Sequence, residues 1–103
     1  MNKVTREYHQ RVCAAADLVA IVAADLPRGL RKSGAEYLGL CPWHDDQHAS
    51  LAVVPAKNLW HCPVCDRTGD AVKWIQVQRN MPYREAVRQL ADLVGEPWIF
   101  GAT

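Results

Sequence analysis

The chain contains no apolar run approaching the roughly 18 residues that a membrane-crossing helix requires. Its start, Met1-Asn2-Lys3-Val4-Thr5-Arg6-Glu7, lacks the apolar core of an export signal, so a cytoplasmic location and no membrane partner are expected. An excess of either charge is also missing. Twelve Lys and Arg face eleven Asp and Glu, for a formal net charge of +1. A polyanionic partner must therefore be met by a local basic patch rather than by the chain as a whole. There is no internal repeat and no low-complexity tract, and the composition argues against disorder. No cluster of acids capable of holding catalytic magnesium ions is present, so the chain is not expected to be an enzyme on its own.

What is present is a soluble composition, 50% hydrophobic and 22% charged, in 103 residues. That length suits one small domain with one modest core. A helical N-terminal segment is expected over 1–26, a ribbon over 30–68 and C-terminal helices over 70–95. In the first segment Tyr8, Val12, Ala15 and Ala16 fall at helical spacing, and Asp17 is an N-cap candidate for a second run, 18–22. Pro27 and Gly29 end it. Strands are expected at 36–40, 51–54 and 59–61, with Ser33-Gly34 as a turn and Pro55-Ala56-Lys57-Asn58 closing a hairpin. Thr68-Gly69-Asp70 reads as a turn and cap before a helix over 71–79. The last helix is expected over 83–94, with Ala86, Val87, Leu90, Ala91 and Val94 on one face and Gly95 behind it.

Two pairs of candidate ligands dominate the sequence: Cys41-Pro42-Trp43-His44 and Cys62-Pro63-Val64-Cys65. An x₂ spacing lets one tight turn aim two side chains at a common point, and two such turns complete a tetrahedron. Three thiolates and an imidazole favour Zn²⁺ over a hard, oxygen-seeking cation. Four protein ligands leave no open position for water, so one structural zinc is expected. Binding it brings the formal charge to about zero, since three thiolates subtract three and the ion adds two. His48 and His61 neighbour the ligands, but neither preserves the paired spacing. Asp45 and Asp46 are read as solvating a turn or hydrogen-bonding His44. Cys13 reads as a small core residue and His9 as exposed.

These pairs, with 50–53, 57–65 and Gly69-Asp70-Ala71-Val72-Lys73-Trp74, resemble the Cys-His-Cys-Cys zinc finger of bacterial DNA primases. The segments 17–22, 30–37 and 83–87 fit as well, so the resemblance spans nearly the whole chain. It implies an α+β zinc-ribbon fold, with a small antiparallel β-sheet flanked by N- and C-terminal helices. It also implies a sheet face open to single-stranded DNA, and support of primer synthesis by a separate polymerase domain in cis or in trans. There are two departures. Ala49-Ser50-Leu51 stands where the family has Pro-Ser-Phe, and Asp66-Arg67-Thr68 stands where it has a glycine-rich turn.

Single-strand binding needs cations to follow phosphates and flat groups to stack on bases. The candidates are Arg31, Lys32, Tyr37, Lys57, Trp60, Arg67 and Lys73, with Trp60 and Trp74 equally readable as core. Arg79, Arg84 and Arg88 read as a solvated helix face. Other readings stay open: a protein-interaction module docking on a polymerase or replicative helicase, or a stand-alone regulator from a mobile element. The tail 96–103 reads as a linker stub, and Trp98-Ile99-Phe100 as the unfinished end of a fragment of a longer primase.

Overall fold

The computed structural model describes residues 3–45 and 47–101. Four helices and a five-stranded sheet are distributed over two compact units, Met1–Ala16 with Ala71–Thr103, and Asp17–Asp70.

In the second unit, α2 (Leu18–Asp25) starts where Asp17 accepts a hydrogen bond from the Ala20 amide at 3.1 Å. That cap satisfies one of the orphan amides of the first turn. Strands β1 (Arg31–Ser33), β2 (Glu36–Gly39), β3 (Leu51–Val54), β4 (Leu59–Cys62) and β5 (Arg67–Gly69) follow. They form one antiparallel sheet in the order β1-β2-β3-β4-β5. The expected hairpin between β3 and β4 is present, its link a short 3₁₀ turn (Pro55–Lys57) with Asn58 in the left-handed region.

Sequence spacing predicts three strands, and the structure has two more. β1 replaces part of the expected Ser33-Gly34 turn, which moves to Gly34-Ala35, and β5 replaces the turn expected at Thr68-Gly69. Both are three-residue edge strands with exposed basic side chains at Arg31, Lys32 and Arg67. Short, charged edges discourage pairing with other chains.

The register sorts the side chains into two faces, because directly opposed residues point the same way. One transverse row is Lys32, Tyr37, Val53, Trp60 and Gly69. The face that carries this row is core at its middle, with Leu51, Val53, Trp60 and Cys62 all fully buried. The other row is Arg31, Leu38, Ala52, His61 and Thr68, each half-buried or exposed.

Gly39 lets the chain before β1 approach β2. A Cβ there would lie 2.8 Å from Leu30 Cδ2, 3.1 Å from the Gly29 carbonyl oxygen and 3.2 Å from Leu26 Cδ1. Gly39→Ala is expected to destabilise the zinc-loaded chain by about 1–3 kcal/mol through overpacking. Urea unfolding checks this; an unchanged midpoint would show that Leu30 swings aside freely.

In the other unit, α1 (Arg6–Ala15), α3 (Ala71–Gln78) and α4 (Tyr83–Val94) pack on one another. α4 buries Ala86, Val87, Leu90 and Ala91 at helical spacing and stops at Gly95, whose φ of +79° closes a left-handed cap. α3 buries Val72, Trp74 and Ile75, so Trp74 is core. Cys13 is buried as expected. His9 is not simply exposed: it is half-buried, with Nδ1 2.6 Å from the Tyr83 hydroxyl and the rings stacked. Pro97 and Phe100, in the segment read as a linker stub, pack against α1. Tyr8 donates to the Pro97 carbonyl at 2.8 Å, and the buried Phe100 meets the Tyr8 ring edge-on at 4.8 Å. Arg84 and Arg88 lie over Trp98 and Arg84 donates to the Phe100 carbonyl, so that helix face is engaged rather than merely solvated.

Candidate metal centre

Four side chains converge where the two knuckles meet. The first knuckle leaves the end of β2, and the second is the hairpin loop between β4 and β5. That second turn needs one left-handed residue to re-enter the sheet, and Asp66 takes it at φ +56°. Asp tolerates this conformation better than most residues, so the turn closes without a glycine.

The ligand atoms of Cys41, His44, Cys62 and Cys65 all lie within 4.8 Å of one another. Cys41 Sγ is 3.5 Å from Cys65 Sγ, and His44 Nδ1 is 2.7 Å from the same sulfur. A tetrahedral set about one zinc has edges of roughly 3.8 Å when Zn–S is about 2.3 Å. Both separations are shorter than that edge and all four ligand atoms lie within 4.8 Å of one another, so the donors are gathered about one point and fit the ion in number and softness. Nδ1 is the histidine nitrogen turned toward the sulfurs.

Burial shows why a cation belongs there. Cys41 and Cys62 are buried, while His44 and Cys65 are half-buried. Desolvation, aided by the thiols of Cys62 and Cys65, pushes the Cys41 thiol up to about 12 against a backbone hydrogen bond from Trp43 that lowers it. Metal-free, that sulfur keeps its proton at neutral pH; a divalent ion is what makes the thiolate stable in such surroundings.

Trp43, which sequence reasoning passes over, ties the two knuckles together. Its ring lies 5.3 Å from that of Trp60 at 41°, and the Arg67 guanidinium sits 4.8 Å from its centroid. An arginine in this position is held by the ring's negative face. The signal for Trp43 is its position inside the CxxH turn itself, between two candidate ligands.

The seven residues expected to face DNA do not share one surface. Trp60 is fully buried and donates its indole N–H to the Asp70 carbonyl at 2.8 Å, so no base can stack on it. Tyr37 is half-buried in the same row, and Lys32 lies at its exposed edge. Arg67 shares that face and covers Trp43. Lys57 is exposed on the hairpin turn, and Lys73 is exposed on α3 in the helical unit. Only Arg31 belongs to the accessible row. Sequence reasoning misses His61, Leu38 and Thr68 there; the alternation along β4, with Trp60 and Cys62 buried and His61 between them, is the signal that finds them. Asp45 is exposed, and Asp46 lies outside the described residues. No helix among the described residues is long and apolar enough to cross a membrane.

The model of the CHC2 zinc finger family matches residues 4–98. The DNA primase of Neisseria meningitidis is 33% identical over 92 residues, covering 89% of this chain and 15% of that protein. The DNA primase of Lactococcus lactis is 35% identical over 80 residues, covering 78% of this chain and 12% of that protein. The crystal structure of the Aquifex aeolicus primase, comprising zinc-binding and RNA polymerase domains, superposes with a TM-score of 0.81 at 29% identity. That match covers 89% of this chain and 22% of the other. The chain thus spans about 15% or less of the length of these two curated relatives.

Proposed function

The chain belongs to the CHC2 zinc-finger family and is homologous to the zinc-binding domain of DNA primases; on that premise we propose that it binds single-stranded DNA template and supports primer initiation. The polymerase domain that makes the primer acts with it in cis or in trans, and a replicative helicase is a further candidate partner. The chain is the non-catalytic part of that assembly.

Cys41, His44, Cys62 and Cys65 hold one structural zinc, which supplies a fixed crosslink and a counter-charge for three thiolates. The chain's own residues do the rest. The knuckles fix the ends of β2 and β4, and the sheet presents its accessible row to the template.

The observation that carries this reading is that row itself. Arg31, Leu38, Ala52, His61 and Thr68 cross all five strands on the less buried face. A cation at one end, an imidazole near the middle and low apolar side chains between them suit a strand whose phosphates and bases alternate. Four inter-strand spacings give a path of about 19 Å.

His61→Glu, which sets a carboxylate in mid-row, is expected to lower single-strand affinity about tenfold or more, with zinc content unchanged. Fluorescence anisotropy with a labelled single strand, repeated over a salt series, measures this. Duplex is expected to bind more weakly, and affinity to fall with salt as counterions are released. Undiminished binding by His61→Glu would remove the row from the template path. Binding to the polymerase domain but to no nucleic acid would favour the interaction-module reading.

A further inference from the structure

At the β1–β2 end of the accessible row lies a hollow of about 560 Å³. Small-molecule sites run to roughly 300–1,000 Å³. Arg31 and Leu38 are directly opposed across β1 and β2, so they stand side by side on its floor. Leu40, two residues on from Leu38, forms another wall. Gly29, at φ +63°, makes the turn that sets Arg28 on the rim. His48 closes the far side, its carbonyl accepting a hydrogen bond from the Ser50 hydroxyl at 3.1 Å. None of the described residues lining the hollow carries a carboxylate.

A bare anion needs cations but no leucine floor, and an apolar ligand needs no pair of guanidinia. A nucleotide uses both: a flat base for the apolar surface and a phosphate for arginine, whose planar fork suits it. Resting on the single-strand reading above, we propose that this hollow is a nucleotide subsite, taking one nucleoside 5′-phosphate with its base on Leu38 and Leu40 and its phosphate toward Arg28 and Arg31. The nucleotide comes either from the bound strand, which the row leads into the hollow, or from free nucleoside triphosphate.

The test is an amide NMR titration of the zinc-loaded 103-residue chain with ATP, with inorganic triphosphate and with a single-stranded octanucleotide. Shifts at Gly29, Leu30, Leu38 and His48 with ATP support a free-nucleotide source, and shifts there with the octanucleotide alone support a nucleotide of the strand. ATP, if bound, is expected to bind at least about tenfold more tightly than inorganic triphosphate. Arg28→Ala is expected to weaken the binding partner about tenfold, the order of one lost charged contact. His61→Glu, outside the hollow, is expected to weaken the strand but to leave ATP unaffected. Silence of these amides with both ATP and the octanucleotide overturns the subsite, as does equal binding of ATP and inorganic triphosphate. A strand that binds with the hollow silent leaves the template reading standing and removes the subsite; ATP binding without any strand binding does the reverse.

Discussion

Stripping the zinc-loaded chain with a strong chelator is expected to abolish the ordered sheet, with loss of the near-UV signal from Trp43 and Trp60 and of most strand signal in the far-UV. The two knuckles are joined through the strands between them, through the contacts of Trp43 with Trp60 and Arg67, and through the ligand set. Without an ion, three sulfurs and an imidazole crowd one buried point, with Cys41 and Cys65 at 3.5 Å. In zinc modules of this scale the ion contributes on the order of 10 kcal/mol, comparable to the whole stability of a small domain. Cys62→Ser, in the most buried of the ligand positions, is expected to reproduce the loss in the presence of zinc. A metal-free chain whose spectra overlay those of the zinc form would refute the structural role.

The pH dependence is expected to have opposite signs in the two forms. Zinc-loaded chain loses metal as pH falls, because protons compete for the thiolates. In metal-free chain the Cys41 thiol is held up to about 12, mainly by burial, so the unfolded chain releases that proton first. Whatever structure the metal-free chain keeps is undiminished below the ordinary thiol range and weakens as pH rises from there toward about 12.

The second large effect concerns Trp60. Trp60→Ala is expected to cost about 3–5 kcal/mol in denaturant unfolding of the zinc-loaded chain, the range for emptying a buried aromatic site. The ring is fully buried between Val53 and Gly69 in the register, touches Trp43 and donates to Asp70. Trp60→Phe separates packing from template contact. It keeps most of the volume, loses one hydrogen bond worth about 1 kcal/mol, and is expected to leave single-strand affinity unchanged. A large loss of affinity in a stable Trp60→Phe chain would return Trp60 to the DNA-facing set.

Much of this was legible before any coordinates. α4 runs from Tyr83 to Val94 as its apolar spacing and flanking Pro82 and Gly95 predict, and Asp17 caps α2. The four ligands converge because paired x₂ turns are local signals that tolerate little variation. What failed was non-local. Arg31-Lys32-Ser33 and Arg67-Thr68-Gly69 show no apolar alternation, and they are strands because a neighbour offers hydrogen bonds. Which face a strand buries depends on register, where a shift of one residue exchanges Trp60 for His61. Aromatic and basic residue types alone therefore do not say which face of the sheet a side chain joins.

The strand order has a kinetic consequence. Each strand pairs only with the next in sequence, so every ladder closes over a short loop, the longest joining β2 to β3. Such local topology folds quickly, since little chain entropy is lost before a contact forms. The ion then meets knuckles already held near each other by β3 and β4, and acts as a latch on a nearly assembled meander. Zinc is therefore expected to lengthen the lifetime of the folded sheet far more than it hastens its formation.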